Sequence, residues 1–152
     1  MKKIIFTLFA LLTLFTACKN VDDAVVGQLQ QNITSLEQAV TTLKESSTTL
    51  GLLTNQIDGL PENVKNNATG YSDLKEKANS ISNRIAVRTY EYGNLATQMR
   101  TLAADYTAGK MKTPDVQNSL NLLNDRIKDA PVFVEGVQKN LADIQASIQK
   151  FQ

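Results

Sequence analysis

The chain has 152 residues, of which 16 are Lys or Arg and 15 are Asp or Glu, so its formal net charge is +1. It contains no histidine, no tryptophan and a single cysteine, Cys18. This composition removes the commonest general base and metal ligand, and it leaves no second thiol for a disulfide. A near-neutral chain also lacks the clustered basic surface that nucleic acid binding requires. We therefore expect no nucleic acid partner, no metal and no cofactor.

Catalytic motifs are also missing from the sequence, which contains neither a Gly-rich phosphate loop nor a GxSxG nucleophile elbow. Carboxylates that stand close together, such as Asp22 and Asp23, occur only as short clusters typical of surfaces. We therefore predict that the protein is not an enzyme. A carboxylate-dependent enzyme acting on the cell wall is the less favoured alternative, and it requires two acidic side chains about 5–10 Å apart in a cleft.

The first 17 residues have the pattern of a secretory leader. Two lysines precede an apolar run over residues 4–15, and two small residues stand directly before Cys18. The segment resembles the leader of a bacterial lipoprotein, with Phe15-Thr16-Ala17-Cys18 as its lipobox, in the relaxed form common among the Bacteroidota. The resemblance implies that residues 1–17 are a signal peptide and that Cys18 carries the lipid.

An ordinary signal peptide that leaves a free thiol and an uncleaved membrane anchor are the alternatives. The apolar run is shorter than the roughly 20 residues of a membrane span, and an unpaired thiol is a liability in a secreted chain, so we favour lipidation of Cys18. Lys19 follows the cysteine, in place of the aspartate that retains enterobacterial lipoproteins in the inner membrane. The resemblance therefore implies an outer-membrane lipoprotein attached through its lipid, facing either the periplasm or the cell surface.

Apolar residues along the rest of the chain recur at alternating spacings of three and four, which is the period of a coiled-coil seam. Three stretches carry this pattern, over about 22–57, 72–108 and 114–151. These three stretches predict one all-α domain over residues 18–152. Short connections make neighbouring helices antiparallel. We expect an elongated up-down-up three-helix antiparallel bundle with coiled-coil-like heptad seams, and self-association through the same rows is left open.

Glycine, proline and N-cap residues predict where the helices begin and end. Gly59 is expected to end the first helix, and residues 61–70 are expected to form a connector with one or two helical turns. Ser72 and Thr113 are the expected N-caps of the second and third helices. Pro131 is expected to kink the third helix without breaking it. The predicted core row of the first helix is Val26, Leu29, Ile33, Leu36, Val40, Leu43, Ser47, Leu50 and Ile57.

Arg88 is the one strong charge in a predicted seam row and is therefore a candidate polar residue of the core. It could fix the register of the helices by pairing with Glu37, Asp129 or Glu135 at a similar height. The alternative, which we favour, is that its aliphatic stem lies along the seam while the guanidinium reaches water.

Tyr90, Val132 and Phe133 fall outside the predicted rows, near the middle of the rod. An exposed patch that contains tyrosine and phenylalanine would be a natural contact for a partner protein. The alternative is that a kink at Pro131 rotates Phe133 into the core.

These observations favour a non-enzymatic structural or adaptor lipoprotein whose helical rod docks onto other envelope proteins. In leader, size and class the chain is similar to the small lipoprotein of a Bacteroidota type VI secretion envelope complex. The alternative is a helical bundle that binds a glycan or another ligand between its helices, in a polar-lined pocket around Arg88 and Tyr92.

Overall fold

A computed structural model describes residues 21–67 and 70–151. Over these residues the chain forms four α-helices and no strand: α1 (Asp23–Asp58), α2 (Glu62–Asn67), α3 (Tyr71–Thr107) and α4 (Thr113–Gln149). The prediction of an all-α fold is confirmed for this part of the chain. None of these helices is both long enough and apolar enough to cross a membrane. Cys18 and the predicted leader lie outside the described residues.

Helix α1 begins directly after Asp22, whose Oδ1 accepts a hydrogen bond from the Ala24 N–H at 2.9 Å. This bond satisfies one of the amide groups that the start of a helix leaves without an intrahelical partner. The helix ends at Asp58, and Gly59 lies at its C-cap, as predicted. Its N–H donates to the Asn55 carbonyl at 3.0 Å, which completes the last turn.

The connector between the first two long helices contains the short helix α2, so the expected helical turns are confirmed. Gly70, with φ of 98°, is the N-cap of α3, and the helix begins at Tyr71. The prediction of Ser72 as the N-cap is therefore wrong. Glycine adopts this left-handed conformation without the steric penalty of a Cβ atom, which lets the chain enter the helix before Ser72. The Gly70 carbonyl accepts the first helical hydrogen bond, from the Leu74 N–H at 2.9 Å.

Helix α4 begins at Thr113, and Lys112 is its N-cap without a side-chain cap. The prediction of Thr113 as the N-cap is wrong, because its hydroxyl hydrogen-bonds the Tyr106 hydroxyl at 2.8 Å instead. The helix then continues through Pro131 to Gln149, so the expected single helix is confirmed. Proline has no N–H, and its position in the helix leaves the Ile127 carbonyl without its usual intrahelical donor.

The three long helices surround one hydrophobic core. Helix α1 packs against both α3 and α4, and α3 contacts α4 less extensively than it contacts α1. The buried face of α1 is shifted from the predicted row at three positions: Val25, Ala39 and Ser46 are buried in place of Val26, Val40 and Ser47. The buried residues of α1 follow one another at spacings of three or four residues, and the three predicted positions lie directly beside buried ones. Val26 and Val40 accordingly pack against the core at its margin.

Polar contacts between the long helices follow a consistent order along the chain. Contacts from α3 to α1 or to the residue before it are Lys75 Nζ to Asp58 Oδ1 at 2.9 Å, Arg100 to Glu37, and Tyr106 Oη to the Asp22 N–H at 2.8 Å. Contacts from α3 to α4 are Lys77 Nζ to Asp143 Oδ2 at 3.4 Å, Tyr92 Oη to Asp129 Oδ2 at 2.9 Å, and Tyr106 to Thr113. In both sets the partner's residue number falls as the number along α3 rises.

Candidate functional site

The residues predicted as functional lie near the middle of α3 and α4. Phe133 is only 9% exposed, so it belongs to the core, as the alternative prediction held, and not to an exposed patch. Tyr90 and Val132 are 72% and 67% exposed. Val132 lines a groove between α3 and α4, whereas Tyr90 lies outside the set of residues that line it. The structure therefore does not join these three residues into one exposed aromatic surface.

Arg88 lies at the edge of the core, with 39% of its side chain exposed. Its Nη1 donates to Glu91 Oε2 at 2.8 Å, and its Nη2 lies 3.4 Å from Asp129 Oδ2. The hydrogen bond to Glu91 raises the pKa of Arg88, which stays charged. Asp129 is one of the three partners predicted for Arg88, whereas Glu37, another of them, pairs with Arg100 instead. Because 39% of its side chain is exposed, Arg88 is a rim residue and not a buried polar one. Ion pairs this exposed contribute about 0–1 kcal/mol to stability.

Tyr92 forms the buried polar contact of this region. It is 2% exposed, and its hydroxyl donates to Asp129 Oδ2 at 2.9 Å. Burial of the phenol, and then the neighbouring Asp129 carboxylate, raise the pKa of Tyr92 well above its usual value. The phenol is the donor to Asp129, and Tyr92 is not among the residues that line the groove between α3 and α4.

The ring of Phe133 contacts Tyr92 and the guanidinium groups of two arginines. It packs edge-on against Tyr92, with ring centroids 6.3 Å apart and an interplanar angle of 72°. The guanidinium carbons of Arg84 and Arg88 lie 5.3 Å and 5.5 Å from the Phe133 centroid. Each such cation–π contact is worth about 0.5–1 kcal/mol at an exposed site. Two arginines are thus held side by side over one aromatic ring.

A groove of about 260 Å³ lies over this cluster, between α3 and α4. Ile81 and Arg84 line it from α3, and Phe133 and Gly136 line it from α4. A Cβ atom added at Gly136 would meet nothing within 4 Å, so the glycine leaves this side of the groove open. The groove therefore presents an apolar floor to solvent, with two arginines and one carboxylate, Asp129, in its lining. The Oδ2 atom of Asp129 is paired with Tyr92 and Arg88.

Arg84 and Gly136 are not among the residues predicted as functional. Arg84 stands outside the predicted apolar rows, where a charged residue is ordinary, and Gly136 is one of several glycines within the helices. One available signal was the spacing of Arg84 and Arg88, because residues four apart lie on the same helix face. Their meeting with Phe133 depends on the packing of α4 against α3, which the spacing does not contain.

Over residues 21–67 and 70–151, no group of three or more His, Cys, Asp or Glu side chains is arranged to hold a metal ion. Comparison of the chain with protein-family models, curated proteins and solved structures found no match.

Proposed function

We propose that the protein is a non-enzymatic, lipid-anchored structural or adaptor protein of the bacterial outer membrane. The leader pattern that ends at Cys18 supports the lipid anchor. The observation that carries the rest of the proposal is the closeness of this cysteine to the folded domain. Four residues, 19–22, separate Cys18 from α1, and the last of them is hydrogen-bonded to Tyr106. A domain on so short a link stands next to the bilayer and has little freedom to move away from it.

We further propose that α1, α3 and α4 form an elongated up-down-up antiparallel bundle with coiled-coil-like seams. The opposite order of residue numbers in the interhelical contacts supports this arrangement, as does the alternating spacing of three and four between apolar residues. The three helices have 36, 37 and 37 residues. At about 1.5 Å per residue each spans about 55 Å, which suits a rod that reaches from the membrane to other envelope proteins.

Metabolic labelling with an alkyne analogue of palmitate tests the anchor. In the native host we expect the wild-type protein to carry the label and to sediment with the outer membrane. Cys18→Ser should lose both properties, because the chain has no other cysteine. Thr16→Ser, which keeps a small residue before Cys18, is the matched control and should keep them. A wild-type protein that is never labelled, or a Cys18→Ser protein that still is, would contradict the anchor.

The adaptor role needs its own experiment. Reversible crosslinking of intact envelopes, followed by purification of this chain, should recover defined envelope proteins in repeated samples, and the Cys18→Ser protein should recover them less. Components of a type VI secretion envelope complex among them, or encoded beside this gene, would support that specific form of the proposal. Recovery of no protein partner would count against the adaptor role even where lipid labelling succeeds.

A further inference from the structure

We propose that the groove between α3 and α4 binds a helix of an envelope protein that presents an acidic side chain next to an apolar one. This inference rests on the proposed adaptor function and identifies the surface that performs it. The acidic side chain would pair with Arg84, and its apolar neighbour would lie against Phe133 and Val132.

The first observation that supports this proposal is the charge of Arg84. Arg84 has no carboxylate oxygen within 4.0 Å among the residues that the structure describes, whereas Arg88 has two such partners. The Arg84 side chain is exposed and its guanidinium carbon lies 5.3 Å from the Phe133 centroid, so the ring orients the cation without neutralising it. A planar guanidinium held in this way is suited to a bidentate pair with a carboxylate.

Shape carries the second step. The groove has a floor formed by buried Phe133 and a rim formed by Val132, which is 67% exposed. Its volume of about 260 Å³ is small and open to solvent, whereas sites for small molecules enclose most of their ligand in roughly 300–1,000 Å³. A few side chains from the face of a helix fit such a groove, and arginine beside aromatic residues is typical of the centre of protein interfaces.

The packing of the helices carries the third step. Helix α3 contacts α4 less extensively than α1 contacts either of them, so the groove lies at the most open of the three helix pairs. Gly136 adds to this opening because it has no side chain and nothing within 4 Å of where a Cβ would stand. Glycine within a helix costs about 1 kcal/mol relative to alanine. Here that cost leaves space for the approach of a partner helix.

The test is selection from a phage-displayed library of 20-residue helical peptides against the full chain, purified in detergent. We expect the selected peptides to carry Asp or Glu three or four positions from an apolar residue. Arg84→Gln and Gly136→Leu should each weaken their binding at least about tenfold, the first by removing the charge and the second by filling the groove. The matched controls are Arg126→Gln, an exposed arginine of α4, and Gly51→Leu, an exposed glycine of α1; both should bind as the wild type does.

Several outcomes would overturn the proposal: no selection of peptides, selected peptides without acidic residues, or equal effects of the groove variants and their controls. Loss of self-association on Arg84→Gln, measured by sedimentation, would show a second copy of the chain in the groove and would also overturn it. Thermal unfolding followed by circular dichroism shows whether each variant is folded. Because this experiment uses no membrane, its failure leaves the results of lipid labelling and envelope crosslinking intact.

Discussion

The backbone N–H of Asp22 donates a hydrogen bond to the hydroxyl of Tyr106, 84 residues later in the chain, at 2.8 Å. The same hydroxyl lies 2.8 Å from Thr113 Oγ1, and the Tyr106 side chain is only 1% exposed. One buried phenol therefore connects the residue before α1, the last turn of α3 and the first turn of α4. Asp22, the last residue of the short segment between Cys18 and α1, is thus hydrogen-bonded to the folded domain.

Removal of this hydroxyl tests the connection. Tyr106→Phe removes the acceptor of the Asp22 N–H and the partner of the Thr113 hydroxyl, both only partly buried, and a typical intramolecular hydrogen bond contributes about 0.5–1.5 kcal/mol to stability. We expect urea unfolding followed by circular dichroism to show a loss of about that size. Tyr90→Phe is the control, because Tyr90 is 72% exposed and its stability should match the wild type. Equal stabilities of the two variants would contradict the role assigned to Tyr106.

Stability should also depend on the ionisation of Tyr92. Its pKa is raised in the folded protein by burial and by the Asp129 carboxylate, so the folded state holds this proton more tightly than the unfolded chain does. The resulting stabilisation is complete below the unfolded pKa near 10 and is lost as the pH rises above it. Urea unfolding of the wild type and of Tyr92→Phe, at about pH 8 and about pH 11, should show the advantage of the wild type shrinking at the higher pH. A difference that stays constant would refute this linkage.

Glycines inside the helices should be sites of stabilisation. Gly51 and Gly93 lie within α1 and α3, and a Cβ added at either would meet nothing within 4 Å. Replacement by alanine should therefore raise the free energy of unfolding by about 0.5–1 kcal/mol at each site. Gly70→Ala should do the opposite, since its φ of 98° is strained for a residue with a side chain. Urea unfolding of the three variants would measure both signs, and destabilisation by Gly51→Ala would contradict the open space at that position.

Neighbouring residues 132 and 133 should respond very differently to truncation. Phe133→Ala removes a ring that packs against Tyr92 and two arginines, and we expect a loss of about 3 kcal/mol, the lower end of the range for a buried phenylalanine. Val132→Ala should change stability by less than about 0.5 kcal/mol, because Val132 is exposed. Thermal unfolding of both variants provides the comparison, and similar losses would mean that Phe133 is not a core residue.

The fold class, the single helix through Pro131 and most core positions of α1 could be predicted, because a helix that buries one face needs apolar residues at three- and four-residue spacing. The first residues of the helices were harder to predict from the sequence. Ser72 and Thr113 have side chains typical of N-caps. The helix nevertheless begins before Ser72, because Gly70 adopts a left-handed conformation, and the Thr113 hydroxyl bonds to Tyr106 instead of capping its helix. Such contacts join residues distant in sequence, which local preferences do not report.

The candidate groove could be predicted only in part. Arg88, Val132 and Phe133 were selected because each departs from the apolar pattern. Arg84 and Gly136 fit the pattern of ordinary solvent-facing positions and gave no comparable signal. What brings them together is the approach of α3 to α4 over the Phe133 ring, and that geometry follows from the packing of the helices.

The Tyr106 connection has a mechanical consequence for a protein held by its N-terminus. Under the proposed anchor, tension from the membrane enters the domain at Asp22 and reaches the Tyr106 hydroxyl before it reaches the hydrogen bonds of α1. Because that hydroxyl also contacts Thr113, the load is shared with the first turn of α4. Single-molecule pulling from residue 18 should therefore require a larger unfolding force for the wild type than for Tyr106→Phe.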